Sequence, residues 1–246
     1  MIYFIGAGPG AVDLITVRGA EILRRAGLVV YAGSLVNPEI LNVYAPEDCE
    51  VHDSSVLTLE EITELLISGH DRGINTVRLH SGDPALFGAI REQVNILRGR
   101  NIPFEIVPGV SSLFAASSAL KTEYTIPGKV QTLIISRVEG RTPSPDNASI
   151  ALFLSAGMTE KACNELIHRG YSPDTPAALV YRASWPDERI IRGTLSTLPE
   201  LSQGITKTAI ILAGDFLNDD ESSQSKLYDK NFSHEYRNSS LHTKGN

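Results

Sequence analysis

Three short segments of this chain place small residues and polar groups directly after a short run rich in apolar residues. Gly6-Ala7-Gly8-Pro9-Gly10 follows Ile2–Ile5, His80-Ser81-Gly82-Asp83-Pro84 follows Thr76–Leu79, and Pro108-Gly109-Val110-Ser111-Ser112 follows Phe104–Val107. Each run reads as a strand, and ligands of open α/β sheets gather at the carboxyl ends of strands. The first segment invites comparison with a dinucleotide fingerprint, in which glycines let the backbone approach a pyrophosphate. Pro9 argues against that reading, because it has no amide hydrogen to offer a phosphate nest. The third fingerprint position is Ala11, and Tyr31-Ala32-Gly33-Ser34 stands where an acidic residue would follow the second strand. In the second segment Gly82 permits close backbone approach, and the Asp83 carboxylate suits a cationic amine or hydroxyls. Pro84 is expected to open the next helix at its first position, with capping by Asp83 as the plain structural alternative. In the third segment Ser111 and Ser112 suit a ligand edge, although Ser111 would serve equally as a helix cap. Three such loops in one lobe point together to a ligand site.

Other chemistries find little support. The two cysteines, Cys49 and Cys163, stand far apart with no CxxC, and read as reduced, partly buried thiols. The six histidines show no metal-ligand spacing, so no zinc is expected. A net charge of -7 argues against nucleic acid as the main partner and leaves room for an anionic small substrate met by a local basic cluster. No apolar run approaches the roughly 18 residues that span a bilayer. Met1-Ile2-Tyr3-Phe4 runs into a glycine turn without a preceding positive charge, and reads as a buried strand and not a signal peptide. A cytoplasmic protein is expected.

The elements that must carry the three loops alternate. Leu14–Ala26 has an approximate apolar helical face, Leu28–Tyr31 is a continuously apolar strand, and Thr58-Leu59-Glu60-Glu61 is a capping box ahead of Ile62, Leu65 and Leu66. Ala85–Leu97 and Val110–Leu120 are expected as helices. After Thr125-Ile126-Pro127-Gly128 the pattern restarts, with strands at Thr132–Ile135, Ile150–Leu154, Ala177–Tyr181, Arg189–Arg192 and Ala209–Leu212, and a helix at Thr159–His168. The short link from Tyr181 to Arg189 suits a hairpin. The expected organisation is an α/β lobe over 1–120 with a parallel-rich sheet, a second α/β lobe over 121–217 with a mixed sheet, and a disordered polar tail over 218–246.

Taken together, these stretches resemble the tetrapyrrole (corrin/porphyrin) methylase family over roughly residues 1–217. The matching residues are Gly6-Ala7-Gly8-Pro9-Gly10 with Asp13-Leu14-Ile15-Thr16, then Gly82-Asp83-Pro84, Pro108-Gly109-Val110-Ser111-Ser112 and Thr208-Ala209-Ile210-Ile211-Leu212. Val30-Tyr31-Ala32-Gly33-Ser34-Leu35-Val36 and the Asp53-Ser54-Ser55 to Glu61 segment look like the branch that methylates ring carbon 11 of precorrin-4 or cobalt-precorrin-4. One departure is Ser81, where many members carry a second glycine.

The resemblance implies two α/β lobes with a cleft between them, S-adenosylmethionine as methyl donor (S-adenosylhomocysteine as product), an anionic tetrapyrrole as substrate, and a homodimer. It carries donor contacts over to Pro9, Ser81, Gly82, Asp83, Leu86, Ser111, Ser112, Leu154, Ala183, Thr208 and Ala209. Lys121, Lys129, Arg137 and Arg182 are candidates for the substrate carboxylates, and Asp53 for a catalytic base. Other readings stay open: a family member acting at another ring carbon or on diphthamide, a Rossmann-like NAD oxidoreductase, and a non-catalytic nucleotide sensor.

Overall fold

The computed structural model describes residues 1–138, 148–218, 229, 232–233 and 235–237. The polar tail expected over 218–246 lies largely outside the described residues. By its contacts the chain divides into two compact units: residues 1–120 with 180–190 and 205–210, and residues 121–179 with 191–204 and 211–246.

The first unit holds β1 (Ile2–Gly6), α1 (Val17–Leu23), β2 (Leu28–Tyr31), α2 (Glu39–Tyr44), β3 (Glu50–Asp53), α3 (Leu59–Asp71), β4 (Thr76–His80), α4 (Arg91–Gly99), β5 (Phe104–Val107) and α5 (Ser112–Leu120). The strands form one parallel sheet in the order β3-β2-β4-β1-β5. A parallel sheet covered on both faces needs apolar residues at successive strand positions, since neighbours point to opposite faces. Ile5, Val29, Val77, Leu79 and Val107 share one apolar cluster with Ala20, Leu23 and Ile40, whereas Ile2, Phe4, Leu28 and Val30 share another with Ile62, Leu66, Val94 and Leu97. Leu23, Leu66 and Leu97 are fully buried; each such side chain stabilises the fold by roughly 1.5–3 kcal/mol.

Local signals place several of these elements. The capping box forms as expected: the Glu61 amide donates to Thr58 Oγ1 at 3.2 Å, and the Thr58 amide to Glu61 Oε2 at 2.8 Å. Three helices start later than the periodicity suggests, α5 by two residues, at Ser112. In α1 the Gly19 amide donates to Thr16 Oγ1 at 3.1 Å, so Thr16 caps a helix that begins at Val17. The larger correction concerns the helix expected over Ala85–Leu97. Phe87 and Ala89 have φ of 57° and 49°, in the left-handed region, so no right-handed helix runs through them and α4 begins at Arg91. Pro84 opens a turn, not a helix.

The remaining elements are β6 (Thr132–Ser136), β7 (Ala148–Leu152), α6 (Thr159–His168), β8 (Pro176–Tyr181), β9 (Arg189–Thr194), α7 (Leu198–Leu201) and β10 (Ala209–Ala213). Their strands form a mixed sheet in the order β6-β7-β10-β8-β9, with β6 parallel and β10 antiparallel to β7. β8 and β9 are neighbours, as the short link between them requires. Within the second unit Ser149 Oγ donates to the Tyr124 carbonyl at 2.6 Å, Thr122 Oγ1 to the Phe216 carbonyl at 2.7 Å, and the Tyr124 and Phe216 rings lie 5.1 Å apart. The segment entering this unit is thereby tied to the one that follows β10. Among the described residues no helix is long and apolar enough to cross a membrane, and no group of three His, Cys, Asp or Glu side chains could hold a metal ion.

Candidate functional site

The three glycine-bearing loops follow β4, β1 and β5, which are adjacent in that order, so their strand ends deliver them to one place. They meet through backbone. A methyl group on Gly6 would lie 2.5 Å from both Gly109 Cα and the Gly82 oxygen, and one on Gly109 would lie 2.1 Å from the Gly82 oxygen. No side chain fits at either position. Gly8 and Gly82 pair as an antiparallel bridge, with φ of 81° and 64°. The Gly82 amide donates to the Gly8 carbonyl at 2.8 Å, the Gly8 amide to the Gly82 carbonyl at 3.3 Å, and the Ala7 amide to the His80 carbonyl at 2.7 Å.

Asp83 ties the second loop to the third. Its Oδ1 accepts from the Ala85 amide at 2.8 Å and its Oδ2 from the Gly109 amide at 2.9 Å. Ser111 is buried, and its hydroxyl accepts from the Leu113 amide at 3.2 Å, the capping bond that its position before α5 suggested. Gly82 faces the third loop across ordinary contact distances, 3.6 Å to Ser111 Cα and 3.7 Å to the Ser112 amide nitrogen from the position of an added methyl.

Beyond Gly8 the first loop leaves the sheet, and three side chains take over its support. Trp185 Nε1 donates to the Pro9 carbonyl at 2.9 Å, Asn37 Nδ2 to the Gly10 carbonyl at 3.0 Å, and the Ala11 amide to Ser184 Oγ at 3.0 Å. Pro9 is buried. The amides of Ala7, Gly8 and Ala11 are therefore already engaged and Pro9 has none, which leaves the turn at most the Gly10 amide and not the fan of donors that a phosphate requires. It presents instead a close-packed backbone surface suited to a ligand without phosphate.

The segment that supplies Ser184 and Trp185 is held in a strained shape. Arg182 and Ser184 have φ of 48° and 69°, and Thr208, whose carbonyl accepts from the Arg182 amide at 2.8 Å, has φ of 54°. Such conformations persist where the surroundings over-determine them, and they concentrate at ligand sites. The Arg182 guanidinium lies 4.7 Å from the Trp185 ring centroid and pairs with Asp187 at 2.8 Å.

Of the expected donor contacts, Pro9, Gly82, Asp83, Ser111 and Ser112 come together at the three loops, with Ser81 and Leu86 on either side of the Gly82–Asp83 turn. Ala183, Thr208 and Ala209 lie in segments that group by contact with the same unit, and Leu154 groups with the other. Leu154 is 55% exposed with φ of 53°. Of the candidate substrate contacts, Lys121, Lys129 and Arg137 are exposed residues of the second unit, and Arg182 belongs to the first. Asp53 sits at the end of the edge strand β3, where its Oδ1 accepts from the Ser55 amide at 2.8 Å and the Gly33 amide at 3.1 Å. The Ser55 amide, the larger influence, and the Gly33 amide hold this carboxyl below its usual range, so it is a weaker base than an ordinary aspartate. Sequence reasoning passed over Trp185, Ser184 and Asn37. The one available signal was that Trp185 is the only tryptophan in the chain.

Beneath the second loop, the face of β4 toward α3 and α4 carries Arg78 and His80, both buried. Arg78 Nη1 donates to the Val30 carbonyl at 3.1 Å, and burial draws the guanidinium down to about 10, so it stays charged at neutral pH. His80 stacks on Phe4 at 6.1 Å, and burial first, then Arg78, pulls its imidazole down to about 3. It is therefore neutral under ordinary conditions.

Comparison with known proteins agrees with this geometry. Residues 1–199 match the family model described as tetrapyrrole (corrin/porphyrin) methylases. A cobalt-precorrin-4 C(11)-methyltransferase of Methanocaldococcus jannaschii is 46% identical over 97% of this chain and 96% of its own length. A precorrin-4 C(11)-methyltransferase of Pseudomonas aeruginosa is 41% identical over 96% of this chain and 98% of its own. Among solved structures, the cobalt precorrin-4 methyltransferase CbiF superposes with a TM-score of 0.82 at 44% identity, covering 88% of this chain and 95% of that one. The uroporphyrin-III C-methyl transferase of Thermus thermophilus, solved with S-adenosyl homocysteine, gives 0.74 at 29% identity, covering 88% and 98%. With its glycine loops built on adjacent parallel strands and its match extending over most of its length, the chain belongs to the tetrapyrrole (corrin/porphyrin) methylase family.

Proposed function

We propose that this chain is an S-adenosylmethionine-dependent C-methyltransferase of cobalamin biosynthesis, acting on ring carbon 11 of precorrin-4 or cobalt-precorrin-4. The observation that carries the reading is the meeting of Gly6, Gly82 and Gly109, with the amides of Ala7, Gly8, Gly82 and Gly109 already bonded. Such a surface admits a ligand to the backbone itself but gives a pyrophosphate little to bind, which fits a sulfonium nucleoside better than a dinucleotide. The names of the relatives at 46% and 41% identity support the choice of ring carbon.

Bound S-adenosylmethionine supplies a methyl group already activated on a cationic sulfur, so the chain's own task is orientation and exclusion of water. Pro9, Ser81, Gly82, Asp83, Leu86, Ser111 and Ser112 would line the donor, together with Ala183, Thr208 and Ala209. Arg182, held against an aromatic ring, would meet a substrate carboxylate. The chemistry the donor would supply there is transfer of that methyl group to an electron-rich ring carbon, with S-adenosylhomocysteine as the product left behind. Asp53, already accepting two amides, is assigned to its loop and not to proton removal. The reading also takes the enzyme to be a cytoplasmic homodimer, which light scattering on the purified protein would check.

The deciding experiment is mass spectrometry, with fragment assignment, of products from a reconstituted pathway supplied with cobalt-containing or cobalt-free substrate. Addition of one methyl at carbon 11 is expected. A methyl at another ring carbon would overturn the named activity and leave the family intact. Calorimetry showing saturable binding of NAD and none of S-adenosylhomocysteine would overturn the reading altogether.

A further inference from the structure

Ala7 and Gly8 are held by backbone bonds to His80 and Gly82, in continuation of the sheet. Pro9, Gly10 and Ala11 each make a side-chain bond, with Trp185, Asn37 and Ser184 in turn, and Trp185 alone of the three also packs against Gly10. Its indole N–H takes the Pro9 carbonyl at 2.9 Å, and its ring lies so close to Gly10 that an added methyl there would fall 2.0 Å from Cδ1 and 2.1 Å from Nε1. Arg182 stacks at 4.7 Å from the ring centroid and is anchored by Asp187. The turn that presents the indole is closed by the Trp185 amide donating to the Arg182 carbonyl at 2.9 Å and by the Ser184 amide donating to Glu188 at 2.7 Å. One side of the indole thus meets the glycine loop, and its ring also carries a guanidinium.

We propose that Trp185 is a positioning residue for the methyl donor: by fixing the Pro9 carbonyl and filling the space over Gly10, it holds the glycine loop in the shape the donor meets. The inference rests on the methyltransferase reading above. Its physical basis is preorganisation: a loop already held in its binding geometry loses less conformational freedom when ligand arrives. Pro9 is the residue of the loop that most needs an outside hold, because it cannot donate to a neighbouring strand.

The test uses Trp185→Phe, which keeps an aromatic ring and removes the N–H, with Gly10→Ala, which presses on the indole from the other side. Calorimetry with S-adenosylhomocysteine is expected to show about 3- to 10-fold weaker binding for Trp185→Phe, the worth of one hydrogen bond. The KM for S-adenosylmethionine should rise while the KM for the tetrapyrrole holds. Gly10→Ala should weaken the same ligand, and the double variant should lose less than the product of the two single losses, because both act through one contact. Since Trp185 is the sole tryptophan, the emission of the wild-type protein should change on titration with S-adenosylhomocysteine. Affinity within twofold of wild type in correctly folded Trp185→Phe would overturn the inference and leave the methyltransferase reading standing. No binding to the wild-type protein would overturn both.

Discussion

Gly109→Ala offers a sharp test of the three-loop site, because one added methyl has nowhere to go. Its carbon would fall 2.1 Å from the Gly82 oxygen, 2.7 Å from Gly6 Cα and 3.0 Å from the Gly6 carbonyl carbon. All three are backbone atoms, so no side chain can swing aside. An ordinary contact between carbon and oxygen is well over 3 Å, so the third loop must move from the second by about 1 Å, straining the bond from the Gly109 amide to Asp83. Overpacking of this kind typically costs about 1–3 kcal/mol, and the rigidity of the neighbours puts this case toward the upper end. Gly99→Ala is the matched control. Gly99 ends α4 with nothing within 4 Å of its added methyl, so alanine there should be neutral or stabilise by up to about 1 kcal/mol. Urea unfolding would measure both changes, and calorimetry with S-adenosylhomocysteine would measure binding. The expected pattern is loss of stability and of ligand affinity in Gly109→Ala, with affinity retained in Gly99→Ala. If Gly109→Ala matched the wild type in both measurements, the tight meeting of the loops would be refuted.

Three further outcomes follow from individual contacts. Asp83→Ala removes the acceptor for the Ala85 and Gly109 amides; it should weaken S-adenosylhomocysteine binding about tenfold or more, roughly 1.4 kcal/mol, while circular dichroism shows the fold retained. His80 binds a proton more readily unfolded, near 6.5, than folded, near 3. Its contribution to stability is thus complete above about pH 6.5 and declines as the pH falls toward 3, amounting to about 2 kcal/mol lost between pH 7 and 5. Urea midpoints across that range should show the decline, and His80→Phe should flatten it. Thr58→Ala breaks the capping box of α3 and should lower stability by about 1 kcal/mol without changing ligand affinity, as parallel unfolding and binding measurements would show.

Much of the fold was legible from local chemistry. Leu28–Tyr31 is an apolar run and Phe104–Val107 a mostly apolar one, both bounded by breakers, and Thr159–His168 is an amphipathic stretch stopped before Gly170; all three stand where the residues indicated. β3 was not legible, because Glu50-Val51-His52-Asp53 is polar at an exposed sheet edge and carries no apolar signature. The late start of α4 was hidden for another reason. The left-handed conformations of Phe87 and Ala89 contradict their own preferences and are imposed by the surrounding turn.

The sequence by itself determined that glycines and small polar residues would stand at three strand ends, since strand periodicity and glycine's lack of a side chain are properties of neighbouring residues. It also showed that Pro9 removes a donor from the first turn. Only the tertiary structure decided that the three loops touch through Gly6, Gly82 and Gly109, that Asp83 bridges two of them, and that Trp185 reaches Pro9 across 176 positions of chain. Those contacts depend on strand order, which brings β4, β1 and β5 side by side, and on long-range packing, which no local pattern encodes.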